Sequence, residues 1–205
     1  MRRRVGFTVA LLLVLATSGG VWARETRPVA TLSAGTLPAE VWRAEAETGF
    51  LIEEMTIVHD AGASACRYVT TQAPFGLGGA MRYKLEVPAT GEYYLWTRVQ
   101  GVGWQANSFW IEWDGRDPFH YEIPQFGQEW TWGWDAVRPA DQALAPTLLG
   151  AGEHTLHVFA RETEARLDVL VLTADAGYTP TEITLCGQTP TPTAAEYVRI
   201  PLVLK

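Results

Sequence analysis

Met81-Arg82-Tyr83-Lys84-Leu85-Glu86-Val87 is followed by Pro88-Ala89-Thr90 and then by Gly91-Glu92-Tyr93-Tyr94-Leu95-Trp96-Thr97-Arg98-Val99. Met81, Tyr83, Leu85 and Val87 alternate with Arg82, Lys84 and Glu86, the period of two of a half-buried strand. Tyr93, Leu95, Thr97 and Val99 repeat the pattern as the inward face of a second strand. Pro88 to Gly91 is built of turn residues, so the two runs are expected to form a hairpin.

The same pattern continues outward along the chain. Ser108 to Asp114 stops at Asp114-Gly115, His120 to Pro124 is a short run, and Trp130 to Ala136 is a further one. Gly150-Ala151-Gly152 opens His154 to Ala160, and Leu167 to Thr173 closes the series. In that last run Leu167, Val169 and Val171 are expected on one face, with Asp168, Leu170 and Leu172 on the other. Short strands separated by turns every eight to twelve residues or so predict an all-β sandwich. No segment supports a helix of any length.

Trp96, Trp104, Trp110, Trp113, Trp130, Trp132 and Trp134 crowd into the middle of this series. If Trp130-Thr131-Trp132-Gly133-Trp134 is extended, its three indoles share one face. An indole offers a large apolar surface and one N–H donor, which suits a core and equally suits a platform for the C–H face of a sugar ring. Trp113, in phase with Phe109 and Ile111, is expected in the core, and Trp96 and Trp110 on the opposite strand faces. Trp104 lies in Gly101-Val102-Gly103-Trp104-Gln105-Ala106-Asn107, where glycines expose it and Gln105 and Asn107 can exchange hydrogen bonds with hydroxyls.

Arg2, Arg3 and Arg4 precede the apolar run Val9 to Ala16, and Val21-Trp22-Ala23 has small residues at the two positions that matter for cleavage. This is the layout of a secretory signal peptide over 1–23, and the run is shorter than the roughly 20 residues a membrane span needs. Removing the three arginines takes the formal charge from −7 to −10. An acidic chain without a basic stripe gives no reason to expect nucleic acid as a partner. Residues 24–38 read as a linker, 39–181 as one β domain, and 182–205 as a Pro/Thr linker with a tail. In an exported chain Cys66 and Cys186 are expected to pair, closing a loop of roughly 120 residues.

Ala44-Glu45-Ala46-Glu47, Gly91-x-Tyr93-x-Leu95-x-x-Arg98-Val99, Gly152-x-His154-x-Leu156 and Leu167-Asp168 follow one another in an order that carries a resemblance. From Val41 to Pro180 the chain resembles the β-jelly-roll carbohydrate-binding modules of the galactose-binding-like superfamily, families 6 and 35 above all. The resemblance implies a structural calcium ion at Glu45, Glu47 and Asp168, with backbone oxygens around Ala63 to Arg67 completing the shell. The chemistry suits this, because calcium takes six to eight oxygen ligands. Glu45 and Glu47, two apart in a strand, are expected on one face.

The resemblance also implies a sugar site in loops at one end of the sandwich. Tyr68 matches the early aromatic of such a site, Trp130 or Trp132 the second, and Trp104 with Asn107 forms a further candidate pair. Where many sugar-binding members carry an Asn before the last-strand Asp, this chain has Arg161-Glu162-Thr163-Glu164-Ala165-Arg166. Arg166 can pair with a uronic acid carboxylate, or with Glu162 or Glu164.

An enzyme is not expected. His59, His120, His154 and His157 form no paired metal motif, and neither a Gly-x-Ser-x-Gly elbow nor a His-Glu-x-x-His helix occurs. The reading is a secreted, calcium-stabilised, non-catalytic module that binds polysaccharide or another glycan. The alternative is cell-surface adhesion or display toward a non-sugar ligand, with attachment through Tyr197 to Lys205, which resembles short tails of secreted bacterial surface proteins.

Overall fold

The computed structural model describes residues 40–127 and 129–188. The leader at 1–23, the linker at 24–38 and the tail from Thr189 onward lie outside the described residues. Twelve strands follow in order: β1 (Trp42–Glu45), β2 (Phe50–Ile52), β3 (Met55–His59), β4 (Arg67–Thr71), β5 (Ala80–Val87), β6 (Gly91–Gln100), β7 (Ser108–Trp113), β8 (Phe119–Glu122), β9 (Gly133–Ala136), β10 (Thr147–Leu149), β11 (Gly152–Ala160) and β12 (Arg166–Thr173). The helical structure among the described residues is two single 3₁₀ turns, Ala46–Thr48 and Ser64–Cys66. No described helix is long and apolar enough to cross a membrane.

The strands make two antiparallel sheets. One runs β2-β5-β11-β7-β8, and the other runs β10-β6-β12-β4-β3, with β1 also on β12 and β9 also on β6. The alternation read in the sequence sets the core between them: Met81, Tyr83, Leu85 and Val87 from β5 meet Tyr93, Leu95 and Val99 from β6. Phe109, Ile111 and Trp113 of β7 and Leu156, Val158 and Ala160 of β11 complete one wall. Each large side chain so buried contributes roughly 1.5 to 3 kcal/mol. Two tyrosines in this core keep their hydroxyls satisfied: Tyr83 donates to the Ala46 carbonyl at 2.8 Å, and Tyr121 shares a hydrogen bond with Thr97 at 3.0 Å.

β5 and β6 are not a hairpin. β5 pairs with β11 and β2, whereas β6 pairs with β12, β9 and β10, so Pro88 to Thr90 carries the chain from one sheet to the other. Alternation specifies which face of each strand is buried, and both answers were right. It does not specify the partner, and here each strand finds one far along the chain.

β12 departs from simple alternation. Its register against β6 shifts between Leu167 and Val169, a bulge centred on Asp168. The extra residue returns Leu167 to the core side with Leu170 and Leu172, while Asp168 turns toward Arg98. The expected pairing of Asp168 with the Leu170 and Leu172 face is corrected accordingly.

The tryptophan run is extended only from Gly133 onward. Trp130 has φ of 58° and sits in a turn, and pairing with β6 begins at Val99 opposite Gly133. Gly133 is required there, since a Cβ would lie 2.3 Å from the Phe126 ring. The three indoles therefore do not share one strand face.

Candidate functional site

Trp104 is 78% exposed, the largest value among the exposed large apolar side chains of the described residues. Its loop is fixed from below. Val102 bridges to Ala106, Asn107 donates its backbone N–H to Glu162 Oε2 at 2.9 Å, and its carbonyl accepts from Ile123 at 2.6 Å. Gly101 permits the close return of the chain, because a Cβ there would lie 2.5 Å from the Ala106 oxygen. An exposed indole on a braced loop is a preorganised contact surface.

Two grooves flank that indole. One, of about 540 Å³, runs toward Arg138 and Asp141. The other, of about 630 Å³, runs toward Phe75, His120 and Arg161. Trp104, Asn107 and Glu122 line both, and Asn107 Nδ2 donates to Glu122 Oε1 at 3.1 Å. An aromatic plate beside a carboxylate and a carboxamide is a combination that grips the apolar face and the hydroxyl rim of one ligand.

Tyr68, Trp130, Trp132 and Arg166 gather around one another and line neither of these grooves. Tyr68 lies in strand β4 and is buried, not in a loop, with Trp132 set edge-on against it at 5.5 Å. Arginines cover these rings: Arg166 lies 4.1 Å from the Trp130 centroid and 5.1 Å from that of Tyr68, and Arg98 lies 5.2 Å from Trp132. Arg166 donates to Gln100 Oε1 at 2.7 Å, and the Gln100 amide donates to the Trp130 carbonyl. Arg166 is thus held by Gln100 rather than by Glu162, which pairs with Arg161, or by Glu164. Cation–π packing of this kind leaves less ring surface for a ligand than Trp104 offers.

Glu45 lies near enough to Glu47 and to Asp168 for its charge to act on both, where β1 gives way to β4 along β12, beside the bulge. The strand ends at Glu45 and Glu47 stands in the 3₁₀ turn, so shared strand-face geometry does not relate them as expected. Ser64, fully buried, is the hub. Its backbone N–H donates to both Asp168 oxygens at 2.9 and 3.1 Å, and its hydroxyl donates to Glu45 Oε1 at 2.9 Å. Thr184 adds a hydroxyl to the same Glu45 oxygen at 2.8 Å, and Arg98 donates to Asp168 Oδ2.

This arrangement fits a cation in part. Glu45 Oε2 and both Glu47 oxygens are buried without a hydrogen-bond partner, although Arg67 Nε comes within 3.1 Å of Glu47 Oε1. Burial pushes the Glu47 carboxyl above its usual range, and the Glu45 charge adds to this against the pull of Arg67. Burial likewise raises Asp168 to about 6, with the Ser64 N–H and Arg98 opposing and Glu45 reinforcing. Orphaned, mutually repelling carboxylate oxygens are what calcium would satisfy. Asp168, in contrast, is committed to Arg98 and Ser64, and among the described residues no three His, Cys, Asp or Glu side chains converge closely enough to hold a metal as they stand.

Cys66 and Cys186 are joined, with Cα atoms 5.0 Å apart. The bridge carries the chain past 181 back onto the domain, where Arg43 donates to the Glu182 carbonyl at 3.1 Å and Ala65 N–H to the Thr184 carbonyl at 2.7 Å. Residues 182 to 186 belong with the domain rather than with a linker. Ser64 lies in the Ala63 to Arg67 turn expected to offer backbone oxygens, but it presents an N–H to Asp168 and a hydroxyl to Glu45, and Arg98, Thr184, Phe75 and Glu122 entered these sites unannounced by the sequence. Only Arg98 stood in a quoted motif, and nothing there signalled its partner.

No family model matches the chain, and no curated protein matches it. Solved structures do. A β-(1,4)-mannanase with a family 35 module from Podospora anserina matches with a TM-score of 0.55 at 17% identity, over 70% of this chain and 29% of that one. The chain thus spans less than a third of that enzyme. A family 35 carbohydrate-binding module from Clostridium thermocellum matches with a TM-score of 0.53 at 17% identity, over 65% of this chain and 99% of that one. A family 6 module of Cellvibrio mixtus lichenase 5A, solved with cellotriose, gives 0.50 at 19%, over 66% and 98%. The two-sheet architecture and these likenesses together identify the fold as an all-β jelly-roll sandwich, the fold of the modules it matches.

Proposed function

We propose that the protein is a secreted, non-catalytic carbohydrate-binding module that takes its ligand on Trp104. The observation that carries this is the 78% exposed indole on a braced loop between two grooves, with Asn107 and Glu122 at its foot. A pyranose ring laid on that indole loses apolar C–H surface to it while its hydroxyls reach amide and carboxylate. The fold shared with modules described as carbohydrate-binding supports the reading. The disulfide and the Arg-rich, apolar leader support export to an oxidising compartment.

The test is a glycan array run with and without calcium, beside an assay for reducing-sugar release. Binding without release is expected. Release would make the protein an enzyme, and an array without any bound glycan would hand the site to the adhesive reading.

Calcium is proposed as a structural ion held by Glu45 and Glu47, with Asp168 joining on release from Arg98. The unpartnered buried oxygens of Glu45 and Glu47 support it. At calcium a hundredfold above Kd, binding to the folded state adds about 2.7 kcal/mol, or a rise in Tm of about 5 to 10 °C. Thermal melts should therefore shift down by that amount on chelation in the wild type and not in Glu47→Gln. An unmoved wild-type melt, with no calcium by elemental analysis, removes the ion from the account.

A further inference from the structure

We propose that the two grooves beside Trp104 form one continuous track for an internal stretch of a neutral, linear polysaccharide, with Phe75 as a second stacking platform. This rests on the assignment of Trp104 as the sugar platform and extends it.

The first ground is continuity. Trp104, Asn107 and Glu122 line both grooves, so they form a shared ridge rather than the end wall of either. A site for a chain terminus closes on one side of its platform. Here about 540 Å³ lies on one side and about 630 Å³ on the other, each within the size range of a ligand site on its own. A ligand that fills both passes over Trp104 and leaves at both ends.

The second ground is Phe75. It is 62% exposed on the wall of the larger groove, yet it is held in place. Gly76, at φ of 72°, donates its N–H to the Arg161 carbonyl at 3.0 Å, and the Arg161 guanidinium carbon lies over the Phe75 ring, 4.8 Å from its centroid, yet leaves Phe75 exposed where Tyr68 is buried and Trp130 and Trp132 are half-buried under their arginines. An exposed aromatic fixed by its own loop costs little entropy on binding, which is the property of a platform.

The third ground is charge. Arg161 is neutralised by Glu162 at 2.6 Å and Arg138 by Asp135 at 3.1 Å, whereas Glu122 and Asp141 line the track as additional acids. Among the described residues that line this track, an anionic sugar chain meets no cation without a carboxylate partner and at least two additional carboxylates, so the geometry selects an uncharged one.

Native gels cast with galactomannan, mixed-linkage β-glucan, xylan or polygalacturonate identify the polymer, and titration with its oligosaccharides from dimer to hexamer reads the track. Retardation by a neutral polymer is expected, with affinity rising at least about tenfold from dimer to hexamer as the second platform is reached. Phe75→Ala should weaken hexamer binding about five- to tenfold and leave dimer binding unchanged, while Phe75→Trp keeps it. Both variants should melt with the wild type. Affinity that is flat beyond the dimer, hexamer binding untouched by Phe75→Ala, or retardation by polygalacturonate alone overturns the track while leaving the Trp104 platform standing. No retardation of the wild type in any gel overturns both.

Discussion

Breaking the Cys66–Cys186 bridge is expected to destabilise the domain by about 4 to 5 kcal/mol, read from denaturant midpoints of the wild type with and without reductant and of the Cys66→Ser/Cys186→Ser variant. The bridge spans 120 residues, and closing so long a loop removes much of the freedom of the unfolded chain. A domain of this kind holds only about 5 to 15 kcal/mol in total, so the loss is a large share. The folded side contributes as well. Cys186 anchors the segment that delivers Thr184 to Glu45 and to the Ser64 hydroxyl at 2.8 Å each. Once that segment is released, the Glu45 Oε1 and the Ser64 hydroxyl each lose a donor, in addition to the oxygens already unpartnered, and any calcium affinity should fall together with stability. An unchanged midpoint in the double variant contradicts this.

Trp113→Ala is expected to cost about 3 to 5 kcal/mol, the range for removing a large aromatic side chain from a packed core. Trp113 is 4% exposed and stands in register with Leu156, in the layer of Phe109 and Ile111 that faces β6 and β12. The cavity cannot close, because the strand on one side is fixed by β11 and the turn after it by Asp114, whose backbone N–H donates to the Thr155 carbonyl at 2.9 Å. The denaturant midpoint should fall with the slope preserved. A cost under about 1 kcal/mol would mean that the site relaxes and that Trp113 is not part of the rigid core.

The contrast between Trp113 and Trp104 marks how far the sequence could be read. Strand phase placed Trp113 with Phe109 and Ile111, and two flanking glycines placed Trp104 in the open, because both are local properties of the chain. The inward faces of β5, β6, β7 and β11 were legible for the same reason. Partner choice was not: Pro88 to Thr90 reads as a hairpin turn, and only the long pairings of β5 with β11 and of β6 with β12 show that the chain changes sheets. Nor does a bulge announce itself in Leu167-Asp168-Val169, where Asp168, a poor strand former, is flanked by residues that keep the strand reading intact.

The sites were split along the same line. Tyr68 and Trp132 were singled out as ligand aromatics, but one sits buried in a strand and the other against it under Arg98, contacts that join β4, β6 and the segment before β9. Ser64 and Thr184 carry no motif, and they act on Glu45 only because the fold and the disulfide bring segments about 120 residues apart into contact. Long-range convergence of single polar residues leaves no periodic trace in a sequence.

The central claim is that Trp104 is the sugar platform. It is tested most directly by native gels of wild type and Trp104→Ala cast with a soluble neutral polysaccharide that retards the wild type, read together with their melting curves. Loss of one anchoring indole should weaken binding by at least about 2 kcal/mol, close to thirtyfold, while Tm stays within a degree or so because the side chain is in solvent. Retardation of Trp104→Ala equal to that of the wild type contradicts the account and moves the site to the Tyr68, Trp130 and Arg166 cluster.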